Sequence, residues 1–197
     1  QYFNYKRKQI PINDISYTKN QVSNHIDSHI LSLKKPIISI YVSSDDEYRF
    51  IGTDWASYKI VDQIQSIREL IKSKLSDHYD FVVKMHPNQD RIHNSIMNRY
   101  VELSSETNVL FPDNETDSYA LIEYSEIILN YCSSIAVEAN YLRKPVIQIG
   151  PSKFIKFSIA NIVYSTEDAI KLILISFAAH RLGPGVPAGH TIFIHFI

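Results

Sequence analysis

The chain has 197 residues, 45% of them hydrophobic and 21% charged, a composition that supports one globular domain with a sizeable core and excludes a disordered polymer. Its formal net charge of -1 gives no global field to draw in nucleic acid or anionic lipid, so any anion site must be local. A single cysteine, Cys132, excludes an internal disulfide framework and fits a reducing cytosol. No Cys/His spacing of metal type appears, no signal peptide opens the sequence, and no run of about 18 apolar residues suits a bilayer, so the expectation is a soluble, cytoplasmic chain. Gln1 in place of a methionine suggests a longer protein that has lost its beginning.

Residues 1–35 hold Lys6-Arg7-Lys8, many Asn and Ser, and only isolated apolar residues, and read as a linker or the remnant of an absent N-terminal domain. The pattern tightens at Ile37-Ile38-Ser39-Ile40-Tyr41-Val42, a β-rich run that exits into the polar loop Ser43-Ser44-Asp45-Asp46-Glu47. Ile60, Ile64, Ile67, Ile71 and Leu75 then recur at steps of three and four, which predicts an amphipathic helix over residues 57–76. Phe81-Val82-Val83-Lys84-Met85 is the next strand, and Pro87 forces the chain out of the ladder at His86-Pro87-Asn88. A weaker helix over residues 91–103 leads to a short strand at Asn108-Val109-Leu110-Phe111, and Thr116 or Asp117 caps a helix through Tyr119, Leu121, Ile122 and Tyr124.

The most informative stretch is next in the chain. Ile127-Ile128-Leu129-Asn130 ends in the turn Tyr131-Cys132, a helix begins at the paired Ser133 and Ser134, and Val146-Ile147-Gln148-Ile149 returns as a strand within about a dozen residues. A last strand at Ile162-Val163-Tyr164 precedes Ser165-Thr166-Glu167-Asp168, a capping sequence for a helix over residues 169–175. Strands alternating with helices in this way predict an α/β domain over residues 36–175, a Rossmann-like parallel sheet with helices on both faces, whose ligands sit at the carboxyl ends of the strands. Residues 176–197 break the pattern, with no acidic residue and a run rich in Gly and Pro, and read as an atypical apolar tail outside the fold.

Three polar exits, at Ser43-Ser44, His86-Pro87 and Ser133-Ser134, therefore lie on one predicted edge. Hydroxyls where strand becomes helix add donors to free helix N–H groups, which suits a phosphate, although a serine there also serves as a plain N-cap. Glu138, four residues beyond Ser134, falls one turn along the same helix face, where a carboxylate can accept from ribose hydroxyls or can simply face solvent. His86 reads either as a donor to a phosphate or as a structural ring bound to a nearby carbonyl.

The order of these motifs, with Lys84-Met85-His86-Pro87, Asn130 to Ala139 and Lys144-Pro145-Val146-Ile147, resembles bacterial capsule polysaccharide biosynthesis proteins. Those are glycosyltransferases of GT-B architecture, built from two Rossmann-like domains, and the likeness spans roughly residues 36–175, the C-terminal, donor-binding half. The His-Pro and Ser-Ser elements are also similar to those of Kdo transferases and sialyltransferases, where they hold the phosphate and cytidine of a CMP-sugar. The resemblance implies transfer of a sugar from a nucleotide-sugar to a polysaccharide or glycolipid acceptor, with no cofactor and no metal. It implies His86 as the catalytic group, and Ser43, Ser44, His86, Pro87, Ser133, Ser134 and Glu138 as nucleotide or phosphate contacts. It further implies a place at the inner face of the plasma membrane, through the absent N-terminal half, and no nucleic-acid partner. No Gly-x-Gly-x-x-Gly fingerprint is present, and the chain has five glycines in all.

Sugar transfer makes one physical demand on such an edge. Negative charge grows on the leaving nucleotide as its bond to the anomeric carbon breaks, so donors aimed at that phosphate stabilise the transition state above the ground state. Two other readings share the pattern: a UDP-sugar epimerase or CDP-glycerol glycerophosphotransferase on the same half-fold, and a non-catalytic α/β module of a polysaccharide assembly or export complex.

Overall fold

The structure, a computed structural model, describes residues 20–44, 62–150 and 159–181. The acidic loop Asp45-Asp46-Glu47, the first part of the expected 57–76 helix, the basic triplet near the N-terminus and residues 182–197 lie outside the described residues.

Six strands form one parallel sheet: β1 (Ile37–Tyr41), β2 (Asp80–Lys84), β3 (Asn108–Leu110), β4 (Ile127–Asn130), β5 (Val146–Ile149) and β6 (Asn161–Val163). Their spatial order is β3-β2-β1-β4-β5-β6, with every neighbouring pair parallel. The chain thus builds outward from β1 to β3, then crosses back to start again at β4 on the other side of β1. Between β1 and β4 the connections leave in opposite directions, which opens a crevice at their carboxyl ends. Every residue of β1, β4 and β5 is buried, as a sheet covered on both faces requires, and their Ile- and Val-rich runs supply the side chains for it.

Two helical layers cover the sheet. On one face α2 (Gln63–Ile71), α3 (Asn94–Leu103) and α6 (Thr166–Arg181) bring Ile64, Ile67, Leu70, Tyr100, Leu103, Ala169 and Ile173 onto Ile38, Ile40, Val83 and Leu129. On the other, α1 (Ser28–Leu31), α4 (Ser118–Tyr124) and α5 (Ile135–Tyr141) bring Ile30, Leu121, Ile122, Ala136 and Ala139 onto Ile37, Val82 and Ile128. Side chains alternate along each strand between these two cores, so neighbouring residues serve different layers.

Boundaries depart from the sequence reading where local hydrogen bonds compete with the helix. α2 stops at Ile71 because the Ser73 hydroxyl donates to Leu70 O at 2.7 Å and accepts from Leu75 N at 3.2 Å, which opens a 3-10 turn over Lys74–Asp77. Leu75 remains fully buried, so the apolar stripe outlasts the helix expected to carry it. The helix expected from residue 91 begins at Asn94, since the Pro87–Arg91 segment closes its own 3-10 turn and His93 caps α3. Residues 20–35, read as a linker, pack on the domain: Ile30 is fully buried, and Gln21, Asn24 and His25 bond to the chain at residues 117 and 118. The tail expected from Ser176 also differs, because α6 runs on to Arg181, with Ser176 buried and Phe177 stacked on His78 at 4.2 Å.

Candidate functional site

The carboxyl edge is tied together by serines before any ligand is considered. Leaving β1, Ser43 donates its N–H to Gln63 Oε1 at 3.0 Å and receives Gln63 Nε2 at its carbonyl, while its hydroxyl donates to Tyr131 O beyond β4. Ser43 is fully buried and clamps the two strand ends across the crevice, its N–H, carbonyl and hydroxyl all bonded within the protein. Ser44, one residue further out, is buried less completely and marks the start of the loop.

The β4 exit is a strained turn. Cys132 adopts φ 57, the left-handed region that costs a residue with a Cβ about 1–2 kcal/mol. Strain of this kind persists where surrounding bonds enforce it. Here Asn130 Oδ1 accepts from Ser133 N at 3.3 Å, and Ser133 Oγ accepts from Ile135 N at 3.3 Å. Ser133 is therefore a capping residue, buried at 8% exposure, whose hydroxyl already serves the first turn of α5. Ser134 is different: it is exposed at the helix start, and its side chain makes no capping bond.

His86 leaves β2 in a capping box with Gln89. Its N–H donates to Gln89 Oε1 at 2.8 Å, and its Nδ1 accepts from Asn88 N at 3.1 Å. An Nδ1 that accepts fixes the neutral ring with its proton on Nε2, the tautomer that presents a donor. The His86 ring is half-buried in this turn. β2 and β4 flank β1 about 5 Å away on either side, so the His86 and Ser133-Ser134 exits leave strands that lie roughly 10 Å apart.

Helical spacing puts Glu138 on one face with Ser134, yet the two part company. Ser134 faces solvent, whereas Glu138 is 6% exposed and lies close enough to Tyr41 for its charge to act on the phenol. It is not a solvated helix residue.

A polar row, missed in the sequence, underlies this edge. Lys84, Tyr41, Asn130 and Gln148 occupy one register line across β2, β1, β4 and β5, and all point toward the α4–α5 layer. All are buried, with exposures of 4%, 4%, 0% and 1%. The Tyr41 hydroxyl donates to Ser118 O at 2.9 Å, and Asn130 braces the turn to α5. Asp117, buried at the start of α4, accepts from Tyr119 N and Asn24 N, both at 2.9 Å, and attracts Lys84. Burial still brings the Lys84 ammonium down from 10.5 to about 8, and burial together with the Asp117 and Glu138 charges pushes the Tyr41 phenol well above its ordinary range. One signal was in the sequence: each of these strand runs carries a polar residue at or next to its last position. Among the described residues no group of three or more His, Cys, Asp or Glu is placed to hold a metal ion, and no helix is long and apolar enough to cross a membrane.

Comparison with protein-family models and with curated proteins finds no match. Solved structures do match. A structure from Listeria monocytogenes assigned as a UDP-N-acetylglucosamine 2-epimerase aligns with TM-score 0.57 and 12% identity, covering 84% of this chain and 43% of that one. The Methanocaldococcus jannaschii UDP-GlcNAc 2-epimerase, in complex with UDP-GlcNAc and UDP, aligns with TM-score 0.52 and 17% identity over 75% of this chain and 40% of that one. KpsC from Thermosulfurimonas dismutans, a β-Kdo 2,7-transferase, gives TM-score 0.47 and 18% identity over 68% of this chain and 40% of that one. The chain thus spans about two fifths of the length of these proteins. At such identities the likeness speaks of fold, and the fold is an α/β Rossmann-like parallel sheet with helices on both faces.

Proposed function

We propose that this domain binds a nucleotide-sugar at the carboxyl edge of its sheet and is the donor-binding half of a glycosyltransferase of capsule or surface polysaccharide synthesis, with a CMP-sugar as the donor to test first. The observation that carries the reading is that the His86 and Ser133-Ser134 exits follow β2 and β4, the two strands that flank β1 beside the switch point, with Glu138 one helical turn beyond Ser134. In this reading the exposed Ser134 hydroxyl holds the phosphate, and His86 donates from Nε2 to the oxygen on which charge develops. Glu138 accepts from the ribose hydroxyls. Pro87 fixes the exit angle of the His86 turn, and Ser44 lines the crevice beside β1. The acceptor, a polysaccharide or glycolipid, is supplied from outside this domain, at the inner face of the plasma membrane.

A second reading, a UDP-sugar epimerase, is supported by the two similar structures with TM-scores above 0.5, one of which holds UDP-GlcNAc and UDP. A donor panel separates the two. Protein expressed from its full reading frame is offered CMP-, UDP- and CDP-linked donors with and without acceptor. Release of CMP that depends on acceptor supports the first reading. Interconversion of a UDP-sugar without acceptor replaces it with the second, and absence of nucleotide binding refutes both.

A further inference from the structure

Among the described residues, Gln89 carries a buried donor without an acceptor: the side chain is fully buried, and its Nε2 makes no hydrogen bond. A glutamine sealed in this way is costly, since an apolar side chain of the same length would fill the space with no amide to desolvate. Its other end accounts for it. Gln89 Oε1 accepts the His86 N–H at 2.8 Å, and the Gln89 N–H donates to the His86 carbonyl at 2.8 Å, so one residue binds both backbone groups of His86. Turning the amide over would set its NH2 against the His86 N–H; His86 therefore dictates the orientation, and the stranded donor is the consequence. Inside the turn so closed, Asn88 N donates to His86 Nδ1 at 3.1 Å, and Pro87, at the first position, has no N–H to satisfy. The ring and the backbone of His86 are thus bound to the same short turn.

We propose that Gln89 is the positioning residue of His86: its amide holds the turn in which Asn88 N bonds Nδ1, and so keeps the imidazole in the one tautomer with its proton on Nε2. The inference rests on the nucleotide-binding reading, in which Nε2 meets the phosphate, and adds to it a residue that touches no ligand. Methionine at position 89 keeps the length of the side chain and the backbone bond to the His86 carbonyl, and removes only the acceptor for the His86 N–H. The turn then loosens, the bond from Asn88 N to Nδ1 loses its alignment, and the two neutral tautomers come closer in energy. Proline at the exposed position 88 reaches the same end from the other side, because it deletes the N–H that Nδ1 accepts and leaves the Gln89 amide in place.

The experiment records long-range proton–nitrogen NMR spectra of the histidine rings in the full chain and its Gln89→Met and Asn88→Pro variants, at about pH 8, above the ordinary range of a histidine. His86 is identified by the signal missing from His86→Ala. The same proteins are titrated with CMP and UDP, with cytidine and uridine as controls that lack the phosphate, beside thermal unfolding of each. The unaltered protein should show His86 as a single neutral tautomer protonated on Nε2, and both variants should show a mixture. Gln89→Met should bind the nucleotide about tenfold more weakly, the scale of one hydrogen bond to a charged group, and the nucleoside equally well. It should unfold at about the same temperature, because the lost cap is offset by the lost stranded donor. A single Nε2 tautomer in either variant overturns the proposal, as does a mixture in the unaltered protein. Equal weakening of nucleotide and nucleoside with a fall in stability also overturns it, since Gln89 is then only part of the scaffold. No binding of CMP or UDP by the unaltered protein refutes the functional reading, and the ring spectra still decide what Gln89 does for His86.

Discussion

Replacing Lys84 by methionine should make this protein more stable at neutral pH and should remove a specific slope from its pH–stability curve. Lys84 titrates near 10.5 in an unfolded chain and at about 8 in the folded one, because burial disfavours the ammonium more than Asp117 favours it. Between these two values the unfolded state binds more protons than the native state, so stability rises with pH through that window and falls as pH drops through about 8. A fall from 10.5 to about 8 corresponds to about 3 kcal/mol, which is the cost of keeping the charge at pH 7 and the most that Lys84→Met can recover. Tyr41 and Tyr79 act in the opposite sense, since burial raises both phenols, but their effect begins only above about 10. Urea unfolding at pH 7, 8, 8.75 and 9.5 therefore isolates the lysine. The unaltered protein should gain stability across this range, and Lys84→Met should start higher and stay level relative to it. A constant difference between the two proteins at all four pH values would refute the reasoning, because the slope would then come from other groups.

Other outcomes rest on the same geometry. Glu138→Gln should weaken ribonucleotide binding by about 1–3 kcal/mol, the scale of a hydrogen bond to a charged group, and leave a 2′,3′-dideoxy analogue nearly unaffected; equal losses in calorimetric titrations would assign Glu138 to the scaffold. His86→Ala should lower turnover by about 100-fold or more, as loss of one transition-state donor does, and Ser134→Ala should lower it less, since it removes one neutral hydroxyl; steady-state kinetics with full activity in His86→Ala would exclude its role. Truncation after Ile175 should cost about 1–3 kcal/mol in chemical unfolding, because it removes Ser176 and the Phe177 ring stacked on His78, whereas truncation after Arg181 should be tolerated.

How far the sequence carries the account depends on the kind of information. β4 is legible to the residue, because Ile127-Ile128-Leu129-Asn130 is a short apolar run bounded by polar residues, and the caps at Asp117 and Ser165 are legible from residue type alone. Strand order is not. Alternation of strands and helices says that a parallel sheet forms, but the adjacency of β1 and β4, which makes the serine exits meet, is decided by which crossover covers which face. For the same reason the partner of Ser43 is hidden in the sequence: its hydroxyl bonds to Tyr131, 88 residues away, and no local pattern announces it. Glu138 and Ser134 are one turn apart, yet Ser134 is exposed with no capping bond while Glu138 is buried within charge reach of Tyr41, so spacing alone misjudges their surroundings. The row from Lys84 to Gln148 is hidden because a polar residue at the end of an apolar run reads as the start of a loop. Only the strand register shows that four such residues stand side by side.

The central claim is that a nucleotide phosphate lies at the carboxyl edge between the ends of β2 and β4. The most direct test is a crystal structure of the protein from its full reading frame, grown with CMP or UDP. The account predicts a phosphate oxygen within hydrogen-bond distance of the Ser134 hydroxyl, the ribose on Glu138, and His86 Nε2 facing the same phosphate. A nucleotide bound elsewhere, or at this edge with its phosphate turned away from both His86 and the start of α5, would contradict it.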